Sequence, residues 1–189
     1  MKVKKWLQSQ RNEERTSLQN PRTARVTFLD LPGEIRNQIY AYSIYADLSS
    51  LFVANCTKPE HFGATVLHPP LFRTCRQIRA EAFSYLCATC QLGFLGIRSA
   101  VLFFSLAGEA VSEIKSLAVT RPVVYDREYK ERKDIVEQFF SALDTMSGLS
   151  KIRFEGLADW IKPDKKGAKL DFHMRLEKLR ERHVVVQIK

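Results

Sequence analysis

Four cysteines and four histidines are the residues in this 189-residue chain best able to bind a metal or to carry out redox chemistry. Cys87 and Cys90 form a CxxC motif, which can begin a zinc site or a redox pair. A zinc ribbon needs a second CxxC, and a redox motif opens a helix after a strand, whereas this one closes a predicted helix. The pattern therefore favours reduced, buried cysteines, and we expect neither a metal nor a cofactor.

Catalytic motifs are the second kind of chemistry that the sequence could show. The chain has no glycine-rich phosphate loop, no GxSxG elbow and no HExxH pair. Acidic and basic residues alternate between Asp126 and Asp134 at spacings that form ion pairs on a helix surface. We therefore predict that the protein is not an enzyme, and an acyl- or phosphate-handling enzyme is the weakest of three functional hypotheses.

The first half of the chain contains two amphipathic helices separated by an insert. Asp30 can cap a helix that starts near Pro32, because proline is favoured in a first helical turn. Apolar residues then follow at helical spacing. Two short strand candidates, residues 51–54 and 64–67, give a hairpin-like insert, and the second helix starts near Leu71.

The second half of the chain alternates between strands and helices, which predicts crossover helices and a parallel sheet. The fold class is therefore α/β, with a mainly parallel sheet of about four strands after the N-terminal helices and the insert. Residues 1–25 are predicted to be a flexible basic arm, and residues 26–189 a single domain. The predicted strands are 92–95, 114–119, 151–154 and 184–188, and the predicted helices are 100–111, 129–146 and 170–182.

Two motifs carry more specific information than composition does. Residues 28–40 spell FLDLPGEIRNQIY, and residues 71–82 spell LFRTCRQIRAEA. Together they resemble the F-box-like or "two-EXR" domain proteins of filamentous fungi, whose pattern is an LPxEIRxxIY helix, an insert and a CRxxRxEA helix. The resemblance covers residues 26–96 strongly and residues 97–189 weakly, so the N-terminal helices are expected to be F-box-like.

The resemblance implies a protein-interaction module, in the form of a substrate adaptor of a cullin-type ubiquitin ligase. Its partners would then be a Skp-type adaptor and a substrate protein. Three features depart from the patterns. Ile78 stands where an F-box usually has tryptophan, Gln77 stands where the two-EXR pattern has its second glutamate, and the insert from Asp47 to Pro70 is longer than an F-box connection.

The resemblance also singles out the polar residues Glu34, Arg36, Arg76, Arg79 and Glu81, and two roles are open for the arginines of the second motif. We expect Glu34 on the first helix to pair with Arg76 or Arg79 on the second, because a planar guanidinium can meet a carboxylate with two parallel hydrogen bonds. A partly buried pair of this kind would fix helix register more than it would add stability. In the alternative, the two arginines form an anion or partner site.

An apolar stripe on the first helix, which we call the N-terminal stripe, has the same ambiguity. In an F-box much of this stripe would face a partner, whereas in a self-contained domain it would pack against the second helix and the sheet. Its residues are Leu31, Pro32, Ile35, Ile39 and Tyr42.

The net charge of +9 resides at the two ends of the chain. Residues 1–25 hold seven basic and two acidic residues, and residues 162–189 hold nine basic and four acidic ones, so each end carries +5 and the stretch between them −1. Basic ends attract polyanions with little selectivity. The alternative function is therefore nucleic-acid binding through the basic arm and the loop from Lys162 to Lys169. The candidate lysines are Lys2, Lys4, Lys5, Lys165, Lys166 and Lys169.

The compartment follows from what the sequence lacks. No segment approaches the roughly 20 apolar residues that span a bilayer, and the start of the chain has no apolar core of a secretory signal. We therefore expect an intracellular protein, in the cytoplasm or the nucleus, with no membrane partner.

Overall fold

A computed structural model describes residues 26–44, 49–54, 58–121, 133–156 and 168–189. These residues belong to two compact units, which divide between Arg36 and Asn37. In the first unit, a short 3₁₀ helix covers Phe28–Asp30. The Asp30 carboxylate accepts hydrogen bonds from the backbone N–H and the hydroxyl of Thr27, at 2.8 and 2.7 Å, and these bonds lower the pKa of Asp30.

The second unit is built on a parallel sheet of five strands in the order β1-β2-β3-β4-β5. Each strand therefore pairs only with its neighbours in sequence. The helices are α1 (Gly33–Ser43), which begins in the first unit, α2 (Pro59–Ala64), α3 (Arg76–Thr89), α4 (Ile97–Ala107), α5 (Lys133–Thr145) and α6 (Ala168–Glu181). The strands are β1 (Ser50–Val53), β2 (Gln91–Leu95), β3 (Ser116–Thr120), β4 (Lys151–Glu155) and β5 (Val185–Ile188), and further 3₁₀ helices cover Pro70–Arg73 and Gly108–Glu113.

A continuous aromatic cluster shows that helices α4, α5 and α6 pack on the same face of the sheet. Phe94 of β2 contacts Phe103 and Phe104 of α4, with ring centroids 5.3 and 5.8 Å apart. Phe154 of β4 contacts Phe139 of α5 and Phe172 of α6. Sequential parallel strands with right-handed crossovers place every crossover helix on one side, and the aromatic contacts agree with that rule.

The second unit also contains a helix end closed by a residue with positive φ. After α6, the N–H of Val184 bonds to the carbonyl of Leu179, and the N–H of His183 bonds to the carbonyl of Arg180. This pair of bonds is a Schellman motif, whose left-handed position is usually glycine. His183 occupies that position with φ 62°, so this helix end uses a conformation that is costly for a residue with a Cβ.

The predicted α/β class and parallel sheet are confirmed, although the sheet has five strands rather than about four. The prediction of a hairpin-like insert is wrong. The first strand candidate, residues 51–54, corresponds to β1, which pairs in parallel with β2 rather than with the second candidate. Residues 64–67 are not a strand, because Pro59 starts a helix that ends at Ala64 and is followed by turns. Phe62 of this helix and Val66 of the second strand candidate are both buried.

Candidate binding site on the open face of the sheet

The two faces of the sheet carry different side chains, because successive residues of a strand point to opposite faces. One face packs against the helices, and its central residues are Leu51, Val53, Leu92, Phe94, Leu117, Val119, Ile152 and Phe154, all buried. We call the other face the open face. It consists of Ser50, Phe52, Gln91, Gly93, Leu95, Ser116, Ala118, Thr120, Lys151, Arg153, Glu155, Val185 and Gln187.

A depression of about 200 Å³ lies in the open face and is lined only by strand residues. Its floor is formed by Gly93 and Ala118, which occupy adjacent positions on β2 and β3. In the same row of paired residues across the strands, Phe52 of β1 flanks Gly93 and Arg153 of β4 flanks Ala118. The other lining residues are Ser50, Leu51, Gln91, Thr120 and Glu155.

Gly93 allows the ring of Phe52 to lie against the floor of the depression. A Cβ atom on Gly93 would lie 2.7 Å from Cδ2 of Phe52, which is closer than side-chain carbons approach. The ring nevertheless remains accessible, because Phe52 is 54% exposed. The apolar end of the depression therefore offers part of an aromatic ring to solvent, and this ring covers Gly93.

The charged end of the depression is an arginine whose terminal nitrogens are available. Arg153 Nε lies 3.0 Å from Glu155 Oε1, but the approach lacks hydrogen-bond alignment, and this buried nitrogen has no hydrogen-bond partner among the described residues. Glu155 Oε2 accepts a hydrogen bond of 3.0 Å from the hydroxyl of Thr120. Glu155 thus approaches the Nε side of the guanidinium and leaves its two terminal nitrogens accessible to a ligand.

The expected pair between Glu34 and Arg76 or Arg79 stays a prediction, because it joins the two units. Within the second unit, Arg79 has another role: its Nε donates a hydrogen bond of 2.6 Å to the carbonyl of Phe72. Within this unit, a hydrogen bond between a neutral hydroxyl and a carboxylate links the two motifs. The hydroxyl of Tyr40 donates to Glu81 Oε2 at 2.8 Å, and Gln77 Nε2 donates to Glu81 Oε1 at 3.1 Å.

The residues of the N-terminal stripe differ in exposure. In the first unit, Leu31 is half-buried, while Pro32 and Ile35 are exposed, Ile35 by 41%. In the second unit, Ile39 is half-buried and Tyr42 is 83% exposed.

The buried residue of this helix lies outside the N-terminal stripe. Tyr40 is buried in α1, and Ile44, directly after the helix ends at Ser43, is buried as well. The buried face of α1 is therefore not the N-terminal stripe.

The candidate polyanion-binding lysines lie mostly outside the described residues. Five of the six lie outside those ranges: Lys2, Lys4, Lys5, Lys165 and Lys166. Lys169 is in the first turn of α6, so the predicted loop ends inside a helix.

The cysteines of the CxxC motif lie at the end of α3, as expected. Cys87 is buried, and this burial raises the pKa of its thiol to about 12, so the reactive thiolate is strongly disfavoured. Burial also raises the pKa of Cys90. Among the described residues, no group of three His, Cys, Asp or Glu side chains is arranged to hold a metal ion.

Comparison with known proteins gives no further assignment. No family model, curated protein or solved structure matches this chain. In the described ranges, no helix combines the length and apolar character needed to cross a membrane.

Proposed function

We propose that this protein is an intracellular protein-interaction module that presents the open face of its sheet to a partner protein. The observation that supports this proposal is the depression in that face, where an accessible aromatic ring and a guanidinium with free terminal nitrogens flank a floor of two small residues. Aromatic residues and arginine are the side chains that contribute most to protein interfaces.

A second depression is less suited to recognition. It has a volume of about 560 Å³ and lies between α4, the following 3₁₀ helix and α5. Its polar lining residues are Ser105, Glu137, Gln138, Ser141 and Thr145, and Glu137 is the charged one. None of its described lining residues is an arginine, a side chain enriched in protein interfaces, so the open face, which offers Arg153 beside an aromatic ring, is the better candidate.

Photo-crosslinking from two positions tests the proposal. A benzoylphenylalanine residue replaces Phe52 on the open face, and in a matched protein it replaces Leu106, an exposed apolar residue on the helical side. In cells that produce the chain naturally, we expect position 52 to form a discrete protein adduct that position 106 does not form. An Arg153→Glu substitution should abolish that adduct. The same adducts from both positions, or none from position 52, would refute the proposal.

We also propose that α1 is the F-box-like part of the module and contacts a Skp-type adaptor. The exposed side chain of Ile35 supports this proposal, because an apolar residue that served only the core would be buried. Ile35→Asp should abolish co-purification with the adaptor, whereas Gln38→Asp, which adds the same charge at an exposed position of the same helix, should not. If the unmodified protein binds no Skp-type adaptor, this part of the proposal fails and the open-face part remains.

A further inference from the structure

The depression in the open face has two chemically different ends, and together they define a ligand. We infer that it binds an extended acidic peptide segment, with an apolar side chain on Ala118 against the Phe52 ring that covers Gly93, and a carboxylate on the guanidinium of Arg153. This inference rests on the proposed function, because it specifies the chemistry of the partner that the open face binds.

The apolar end has the size and lining for one side chain. The whole depression, its charged end included, measures about 200 Å³, and an apolar cavity of about 150 Å³ accepts benzene. Ala118 is buried beneath the surface, and the ring of Phe52 forms a wall beside Gly93. The depression therefore has room for one apolar side chain, a phenyl ring or a branched aliphatic, against Ala118 and the Phe52 ring.

The charged end selects a carboxylate. Glu155 contacts Arg153 only at Nε, and its other oxygen accepts the Thr120 hydroxyl. The two terminal nitrogens of Arg153 form no hydrogen bond or ion pair with any residue in the described ranges. A guanidinium fork binds a carboxylate through two parallel hydrogen bonds, so an acidic side chain matches this free edge.

The charge around the depression favours the same ligand. Lys151 lies on the same face of β4 as Arg153, one row away. Lys189 follows β5, and its backbone N–H continues the ladder by bonding to the carbonyl of Phe154. Glu155 is the one acidic residue of the open face, so the described part of this surface has an excess of positive charge.

The spacing of the two ends predicts the peptide pattern. Ala118 on β3 and Arg153 on β4 are paired across one strand spacing, or about 5 Å. Alternate residues of an extended peptide project to the same side and lie about 7 Å apart, and the arginine side chain can cover the remaining distance. The preferred sequence is therefore an apolar residue and an acidic residue separated by one position.

Peptide titration against the full chain tests this inference. The probe is the blocked pentapeptide Ac-Gly-Phe-Ser-Glu-Gly-amide, followed by calorimetry and by the backbone amide NMR signals of Gly93 and Ala118. We expect saturable binding that shifts both signals. Replacing Glu by Gln, or Phe by Ala, in the peptide should each weaken binding by about tenfold or more, since each removes one of the two anchors.

Matched variants of the protein locate the carboxylate. Arg153→Gln should weaken the probe by about tenfold, whereas Lys151→Gln, which removes the same charge from the same face of the same strand outside the depression, should have a small effect. Ala118→Leu should also reduce binding, because it fills the floor without changing charge. Circular dichroism establishes that each variant is folded.

Two results would overturn the inference: equal affinity for the Glu and Gln peptides, or equal affinity of the Arg153→Gln and Lys151→Gln proteins. If adducts still form from position 52, the open face binds a partner of different chemistry, and only the inference fails. If those adducts are absent as well, the proposed function fails with it.

Discussion

The hydrogen bond between Tyr40 and Glu81 makes a quantitative prediction about how the two motif helices are joined. The Tyr40 side chain is fully buried, and its hydroxyl donates to a carboxylate at 2.8 Å. A hydrogen bond to a charged group contributes about 1.5–3 kcal/mol. In Tyr40→Phe, Glu81 keeps the bond from Gln77, and the ring keeps its contact with Tyr85 at 6.0 Å between centroids. We therefore expect a loss near the lower limit, about 1.5 kcal/mol.

Tyr42 on the same helix supplies a matched control for this prediction. Tyr42→Phe removes the same hydroxyl from a residue that is 83% exposed, so the free energy of unfolding should change by less than about 0.5 kcal/mol. Urea denaturation of both variants measures the difference. For a chain of this length, the Tyr40→Phe loss corresponds to a lowering of the melting temperature by about 3–6 °C.

A double-mutant cycle separates the hydrogen bond from other effects of the substitution. Tyr40→Phe is combined with Glu81→Gln, and the free energies of unfolding of the four proteins are compared. We expect a coupling energy of about 1 kcal/mol between the two positions, because contacting residues are not additive. Equal stability of the Tyr40→Phe and Tyr42→Phe proteins, together with zero coupling, would refute the claim that this bond joins the two motifs.

Three further predictions concern the core, the thiols and a helix end. Phe103→Ala should lower the free energy of unfolding by about 3–5 kcal/mol, because this buried ring contacts Phe62, Phe83, Phe94 and Phe104; a loss under 1 kcal/mol in urea denaturation would contradict the described core. At pH 8 and in a Cys56→Ser background, a thiol reagent should label exposed Cys75 and spare buried Cys87, whose pKa is about 12, until urea is added; equal labelling rates by mass spectrometry would be inconsistent with that burial. His183→Gly should raise stability by about 1 kcal/mol, because glycine adopts positive φ without a Cβ penalty, and a lower melting temperature would show that the His183 side chain contributes more than its backbone strain costs.

The strands of the second half were predictable because their signal is local. Strands β2, β3 and β5 are short, mostly apolar runs and β4 alternates charged and apolar residues, and the predicted bounds of each lie within two residues of the observed ones. The predicted strand pairing within the insert was wrong because the true pairing is not local. Strand β1 pairs with β2, which follows it only after two helices, and a four-residue apolar run contains no information about so distant a partner. Sequence proximity instead favours a hairpin with the nearer candidate at residues 64–67.

The candidate site could be predicted only in part, since it depends on register. The alternation of charged and apolar residues along β4 separates Arg153 from its buried neighbours, and this signal is present in the sequence, whereas Gly93 and Ala118 are themselves buried in mostly apolar strands. What is missing is that these three residues and Phe52 share one row, with the two smallest residues between the aromatic ring and the guanidinium. That arrangement follows from strand order and pairing, which no single strand specifies.

Folding stability alone does not account for the arrangement of Arg153 and Glu155. Both side chains are about one-third exposed, and an ion pair in such a position contributes about 0–1 kcal/mol. Against that gain stands a buried Nε without a hydrogen-bond partner among the described residues, and an unsatisfied buried donor costs about 1–3 kcal/mol. An apolar pair at these positions would stabilise the sheet at least as well. A bound carboxylate would leave Nε unpaired but would add two charge-assisted hydrogen bonds at the terminal nitrogens of the guanidinium, and this gain in the bound state would offset the cost.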